Sequence, residues 1–574
     1  MAVETKRGFL REAWDMAGPY WKSEEKWAAW GLTVVIVGLS LFIVWINVRF
    51  TYWQKDFYDA MQEYNWHEFW YQFGVFGVLA FFWIVATVYS LYLRQGLQIR
   101  WRRWLTHHFL ETWLSDQAYY RIQLHYASTD NPDQRIQEDL NSFAQSTISL
   151  AMGLLNAVVT LLSFLSLLWV LSGALAIPLP GGAHIHIPGY MCFAALFYAA
   201  GGTWLAHWIG SPLKRLNFNQ QRFEADFRFS LARLRENAEN VAFYGGEGRE
   251  FDGFAHRFSY VVGNWWALIK RTKRLNWFQS GYAQLAVVFP FLVAAPRYFD
   301  KVIQIGGLFQ ISTAFGRVQD SLSFVVNSYN DIATYQAVVE RLATFRGRVE
   351  EIQKERAKEQ PIAVEQKGQG VEVSGLDLEL PDGRPLRQGI ALEASPSRPL
   401  LIVGPSGFGK STLLRAIAGL WPFGRGRIRI GDGRALFLPQ RPYLPLGTLA
   451  QALIYPRAAS EVPEEALVEA LRTVGLPDLV ERLSEESNWA QTLSIGEQQR
   501  LAFARVLLVR PEIVFLDEAT SGLDEAAEAS LYRLLRAAPW HPTIVSVGHR
   551  GTLRRFHETI VDLAEPPFSK AAAG

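Results

Sequence analysis

The sequence predicts a membrane all-α domain of six helices, followed by a soluble α/β domain built around a phosphate-binding loop. Three observations predict it. Long unbroken apolar runs crowd the chain before about residue 330. An apolar run enters a glycine-rich stretch at Leu401 to Thr412, LIVGPSGFGKST. A second apolar run, Ile513 to Asp517, ends in an acid further along.

Composition sets the outer bounds. The chain has 574 residues, 49% of them hydrophobic, enough for more than one domain. Its net charge of +2 suggests no nucleic-acid partner. Many of the 21 Trp, 21 Tyr and 37 Phe residues lie at the ends of apolar runs, where membrane-interface anchors sit. The single cysteine, Cys192, excludes a disulfide within the chain and reads as a buried, inert thiol. No stretch reads as a cleavable signal peptide, so the first apolar run is expected to be retained.

Residues 1–26 mix charges with helix formers and read as an N-terminal arm. The membrane domain is expected over 27–343. Its first span, about 27–48, is long enough to cross a bilayer at 1.5 Å per residue. The second, about 69–93, is followed by Arg94, Arg100, Arg102 and Arg103, whereas Asp56, Asp59, Glu63 and Glu68 precede it. The positive-inside rule therefore puts 49–68 outside and Arg94 onward in the cytoplasm. Residues 94–141 are too charged for lipid, so the second helix is expected to run on into water.

The third span covers about 147–175. The uncharged turn-rich stretch 177–189 reads as an external loop. His184 and His186 alternate there and could hold a metal, but a third ligand is not evident in the sequence. The fourth span covers about 190–209. Lys214 to Arg274 carries more Lys and Arg than Asp and Glu and reads as two cytoplasmic helices joined near Tyr244-Gly245-Gly246-Glu247. The fifth span covers about 278–299 and is followed by a short turn at Asp300 and Lys301.

The sixth span, about 306–328, is amphipathic in an unusual way. At 100° per residue, Gln310, Thr313, Arg317, Asp320, Ser321, Asn327, Ser328 and Asp331 gather on one side. Charged residues in a membrane helix need water or a partner. The stripe is thus a candidate lining for a water-filled pathway, and a structural Arg317–Asp320 pair is the plainer alternative. Six spans put both termini in the cytoplasm.

Residues 344–370 read as a linker, 371–562 as the soluble domain and 563–574 as a tail. Alternating strand and helix signals fit a parallel α/β core. Gly404, Gly409, Lys410 and Ser411 meet the G-x-x-x-x-G-K-S/T spacing. Ser406, Gly407 and Thr412 complete the loop. Glycines let backbone N–H groups curl around phosphates, and the next helix adds its positive end. Lys410 would reach the β- and γ-phosphates of ATP, and Ser411 with Asp517 would hold Mg²⁺. Glu518 follows Asp517 directly, placed to polarise a water. A chance glycine-rich turn would not explain a second phosphate-site strand ending in Asp517-Glu518.

Leu493-Ser494-Ile495-Gly496-Glu497-Gln498-Gln499-Arg500 resembles the signature loop of ATP-binding-cassette transporters. Gln440, in FLPQRPYLPLGTL, resembles their Q-loop, Ser521-Gly522-Leu523-Asp524 their D-loop, and His549, in SVGHR, their switch histidine. The likeness implies an exporter-type membrane domain and a homodimer binding two ATP. It implies that Ser494 and Gly496 close on the γ-phosphate held by the other subunit's Lys410. It assigns Gln440 to Mg²⁺ and to linking the nucleotide site with the membrane domain. It assigns His549 to the γ-phosphate and the water, and Asp524 to coupling the two sites.

The sequence departs from the family pattern in three places. The signature reads LSIGE rather than the commoner LSGGQ. Asn488-Trp489-Ala490 stands where exporters carry an acidic motif. No aromatic lies between Val371 and Leu400 to stack on adenine, so apolar packing by a residue such as Leu386 is expected, with some use of GTP.

Within the family, Asn131 to Asp139 resembles a motif of bacterial SbmA/BacA-type peptide uptake proteins and their ATPase-carrying relatives. Arg235 to Tyr244 resembles a block shared with peroxisomal fatty-acyl transporters. The likeness implies a bacterial cytoplasmic membrane protein, with 131–139 and 240–250 as contact regions for the ATPase domains. It favours import of a bulky hydrophilic solute, cobalamin-like or a peptide. The alternatives are export of lipid or acyl-CoA-like molecules, and a membrane-anchored ATPase that regulates a partner without transport. A separate solute-binding protein is not indicated.

Overall fold

The computed structural model describes residues 8–125, 131–178, 184–356 and 362–564. The chain divides into two compact units. The first holds the N-terminal helices up to Ser115 and the residues from 131 to Arg348. The second holds the residues from Val349 onward together with the short helix Ala118–His125.

The first unit is helical because its apolar runs can satisfy backbone polar groups only within each helix once in lipid. The arm forms the helix Phe9–Ala17 and buries Ala13, Met16 and Ala17. Just after it, Tyr20 is fully buried and stacks on Trp101 with ring centroids 6.0 Å apart. The first long helix, Lys26–Gln62, has 37 residues. The second, Trp66–Leu114, has 49 and starts at Asn65, whose side chain accepts from the Glu68 N–H at 3.1 Å. At 1.5 Å per residue the second helix is about 73 Å long, far beyond a hydrocarbon core of about 30 Å. It therefore continues well past the apolar run, as its charged second half requires.

A π-helical turn, Arg135–Asp139, leads into Leu140–Ser172. Stretch 177–189 is not all loop: Ala174–Pro178 pairs antiparallel with His184–Pro188. The side chains of His184 and His186 lie outside the described residues. Tyr190–Gly210, Pro212–Glu236 and Ala238–Tyr244 follow, and Gly245 turns the chain at φ 59° before the 53-residue helix Glu247–Phe299. The last helices are Ile305–Leu322, Phe324–Asn327 and Tyr329–Arg356. Among the described residues, four helices are long and apolar enough to cross a membrane: Lys26–Gln62, Trp66–Leu124, Pro132–Ser172 and Glu247–Phe299. Tyr190–Gly210 and Ile305–Leu322 are helical as expected but are not among these four.

The polar stripe of the sixth segment does not form one surface. Gln310 is fully buried, so it does not line an open path in the subunit. The reason is close helix packing. Gly306 lies against the Lys55 carbonyl, where a Cβ would not fit, and its N–H donates to Asp59 Oδ1 at 2.9 Å. One face of the helix is thereby pressed onto Lys26–Gln62. Thr313 Oγ1 donates to Gln54 Oε1 at 2.8 Å across the same seam. Arg317, Asp320, Asn327 and Asp331 are exposed on the subunit, and among the described residues no ion pair joins Arg317 to Asp320.

Segment 131–139 is tied down inside the first unit. Asp139 is buried and accepts from Arg135 Nη1 at 2.8 Å and from Arg341 Nη2 at 2.6 Å. The piece that joins the ATPase unit is instead Ala118–His125. There Arg121 is buried, its Nη2 lies 3.5 Å from the Gly419 carbonyl, and Leu124 packs on the apolar core.

In the second unit a five-stranded parallel sheet runs Thr559–Asp562, Leu400–Val403, Thr543–Val547, Ile513–Asp517, Ala435–Leu438. A four-stranded sheet runs Ile362–Gln366, Gly424–Ile430, Val371–Glu379, Pro385–Ala394. Ile362–Gln366 pairs in parallel with Gly424–Ile430, so the fold takes in a strand that the sequence reading leaves in the linker. Leu563, read as the first residue of the tail, is buried. The inner strands Leu400–Val403, Thr543–Val547 and Ile513–Asp517 are mostly apolar and buried because both of their faces are covered, whereas the edge strand Thr559–Asp562 is partly exposed.

Candidate functional site

Parallel strands place their carboxyl ends on one edge of a sheet, and that edge is where α/β folds bind ligands. Here the register makes the point residue by residue. Ile402 pairs with Val547, Val547 with Asp517, and Leu516 with Leu438. The residues just beyond these pairs are Gly404, His549, Glu518 and Gln440. Four motifs spread over 146 positions therefore meet at one edge.

The loop after Leu400–Val403 depends on positive φ at Gly404 (146°), Gly407 (81°) and Gly409 (86°). Such backbone curls N–H groups inward and is strained for residues with a Cβ. Ser406 lies exposed in this loop. Gly409 caps the helix Lys410–Ile417, whose first turn holds Lys410, Ser411 and Thr412. Lys410 is buried, and its ammonium donates to the Gly404 and Pro405 carbonyls at 2.8 and 2.9 Å. Ser411 Oγ donates to Asp517 Oδ1 at 3.2 Å.

Burial pushes the Asp517 carboxyl above its ordinary value, and neighbouring Glu518 adds to this, while Ser411 opposes it. A half-buried carboxylate beside a hydroxyl and a second acid fits a divalent cation, which would offset the cost of its charge. Ser411 and Asp517 would hold it. Gln440, the third expected ligand, directs its amide nitrogen to Glu518 Oε2 at 3.3 Å instead.

Glu518 is the most constrained residue of the site. It has φ 50°, the left-handed region that favours glycine, and its N–H donates to the Val547 carbonyl at 3.0 Å. Strained backbone of this kind persists where the surroundings over-determine it. His549 Nε2 lies 3.3 Å from Glu518 Oε1, so Gln440 and His549 bracket the carboxylate from two sides. A carboxylate held this way, beside a phosphate loop, can accept a proton from a water attacking a terminal phosphate.

Three expected site residues stand elsewhere. Ser494 caps the helix Ile495–Val509, and Gly496 lies in its first turn beside Gly522. Asp524 caps Glu525–Arg536, its Oδ1 accepting from the Ala527 N–H at 2.7 Å. Among the described residues no hydrogen bond joins Ser494 or Gly496 to the 404–412 loop.

One residue was not singled out from sequence. Gln499 is buried, and its amide donates to the Gln440 carbonyl at 2.9 Å and to Ser521 Oγ at 3.2 Å. Its Oε1 accepts from the Gly522 N–H at 2.9 Å. It ties the signature helix to the loops carrying Gln440 and Asp524. A glutamine two residues past a capping glutamate is an ordinary helix residue in sequence, so only the fold reveals this. Leu386, the candidate for packing adenine, lies against Gly409, since a Cβ there would be 3.1 Å from Leu386 Cδ2.

Comparison with known proteins agrees with this geometry. The family model for ABC transporter transmembrane region 2 matches residues 19–299, and that for ABC transporter matches 387–521. An uncharacterised ABC transporter ATP-binding protein of Haemophilus influenzae is 38% identical, over 96% of this chain and 91% of the relative. The human lysosomal cobalamin transporter ABCD4 is 27% identical, over 81% of this chain and 80% of the relative. The structure of a bacterial Atm1-family ABC exporter with ATP bound has the same fold, at a TM-score of 0.73 and 18% identity, over 92% and 94% of the chains. The second unit is an ATPase that uses ATP with Mg²⁺. The chain belongs to the ABC transporter family, as a multi-pass membrane half-molecule that carries its own cytoplasm-facing ATPase domain and is related to D-family members such as ABC transporter D family member 2 of Arabidopsis thaliana, 34% identical over 96% of this chain and 86% of the relative.

Proposed function

We propose that two copies of this chain form a symmetric dimer in a bacterial cytoplasmic membrane and move a bulky solute across it by ATP hydrolysis. The observation that carries this is the division of the nucleotide site. The loop, Asp517, Glu518, Gln440 and His549 come together within one chain, whereas Ser494 and Gly496 do not reach them. A two-fold pairing would bring each signature helix onto the other copy's loop. Donors on both sides of the γ-phosphate then stabilise the charge that builds there. All six segments cross the membrane in this reading, including Tyr190–Gly210 and Ile305–Leu322. The exposed tip of Ala238–Tyr244, with Phe243 and Tyr244, fits docking on an ATPase domain.

Two substrate classes compete. Import of a cobalamin-like solute or peptide is supported by the likeness of Asn131 to Asp139 to SbmA/BacA-type proteins and by what the human relative carries. Export of a lipid or acyl-CoA-like molecule is favoured by the site itself. A cavity of about 810 Å³ lies between Pro212–Glu236 and Glu247–Phe299, where Trp265, Leu268, Ile269, Lys273 and Trp277 line it together with polar Asn276. An apolar aromatic wall with one cation suits an amphiphile with an anionic head. Arg317, Asp320, Asn327 and Asp331 would line the hydrophilic part of the path.

The test is transport in sealed vesicles with the ATPase domains outward, using labelled cobalamin, a hydrophilic peptide and an acyl-CoA, with and without ATP. Accumulation of acyl-CoA driven by ATP is expected. ATP-driven loss of preloaded cobalamin or peptide would establish import instead. Arg317→Ala is expected to slow transport several-fold while leaving ATP hydrolysis. No ATP-dependent movement of any probe would leave the regulatory-ATPase reading.

A further inference from the structure

We propose that Glu497 restrains the signature serine, acting as a built-in brake on the closure of two ATPase domains over nucleotide. The inference rests on the dimer proposed above. Ser494 Oγ donates to Glu497 Oε2 at 2.7 Å, and the Ser494 N–H donates to the same oxygen at 2.8 Å. In return the Glu497 N–H donates to Ser494 Oγ at 3.3 Å. This is a complete capping box.

The arrangement has a consequence for phosphate binding. A serine hydroxyl has one proton to donate. Here it is committed to a carboxylate, so donating to a γ-phosphate requires that bond to break. Glu497 also sets a negative charge at the helix end that would otherwise attract an anion. The hydrogen bonds from Ser494, side chain first and backbone second, hold the Glu497 carboxyl below its ordinary value, and Arg500 and Arg482 contribute less. It is therefore an anion at neutral pH. Two anions compete for one hydroxyl, and closure needs more ATP than a neutral residue at 497 would demand. A glutamine, as in the commoner LSGGQ motif, keeps an acceptor for the cap and removes the charge.

The experiment measures ATP hydrolysis against ATP concentration for the full-length protein in vesicles, comparing wild type, Glu497→Gln and Glu497→Ala at low and high salt. In Glu497→Gln the half-saturating ATP concentration should fall roughly fivefold at low salt, and the gap should narrow at high salt as charge is screened. Glu497→Ala loses charge and cap together and should move the same way by less. A half-saturating concentration that stays or rises in both variants overturns the brake. So does a gap indifferent to salt, which would mark Glu497 as a cap alone. If Lys410→Ala hydrolyses ATP as fast as wild type, the nucleotide-site reading itself fails, and that result is independent of Glu497.

Discussion

The strand-edge cluster and the signature segment make opposite use of their carboxylates. At the strand edge, Glu518 is bracketed by Gln440 and His549 and points its acid into shared space. In the signature segment, Glu497 turns back on its own helix and occupies Ser494. One half of the nucleotide site is assembled by folding a single chain. The other half is satisfied within its own helix. In the dimer we propose, hydrolysis and closure are therefore governed by separate groups, and each can be broken without the other.

Glu518→Gln should break the first half most severely. Its ATP hydrolysis should fall at least about a hundredfold, while ATP still drives dimer closure. Near wild-type hydrolysis in that variant would remove Glu518 from the general-base role. Gln499→Leu severs the link between the halves. It removes the hydrogen bonds to the Gln440 carbonyl and the Gly522 N–H, at about 0.5–1.5 kcal/mol each. A roughly tenfold loss of ATPase with ATP binding retained is expected, by rate and nucleotide-binding measurements. Loss of binding alone would mean that Gln499 serves the loop rather than the link.

Asp517 gives the smallest and most specific effect. Its carboxyl is pushed above the ordinary 3.8, chiefly by burial. For an acid shifted upward on folding, ionisation disfavours the folded state. The penalty is absent below the unfolded value and complete above the folded one. At neutral pH without Mg²⁺, Asp517→Asn should therefore melt about 1–2 °C higher, while losing Mg²⁺-dependent hydrolysis. A lower melting temperature would show that the Ser411 hydrogen bond outweighs the burial.

Much of this protein was legible in its sequence because the signals are local. The 404–412 loop, Asp517-Glu518 and the helix-forming runs each depend on neighbours a few positions away. The continuation of the second helix past Arg94 followed from charge alone. Other features depend on distant pairs. Gln310 looked like a pathway residue because its spacing matched Arg317, yet the glycine contact at Gly306 turns that face onto another helix. The Arg341–Asp139 hydrogen bond joins residues 202 positions apart, and Ala118–His125 clusters with the ATPase unit although the chain before and after it does not.

By itself, then, the sequence determined the order of membrane and ATPase domains, the apolar segments and the motifs from which the candidate nucleotide-site residues are drawn, since motif spacing and hydropathy are properties of short stretches. Only the tertiary structure decided which side chains meet. Strand register aligned Gln440, Glu518 and His549 on one edge, buried Gln499 beneath two loops, and closed Glu497 onto Ser494. Those are contacts between surfaces whose positions are set by the packing of the whole domain, which no short window of residues specifies.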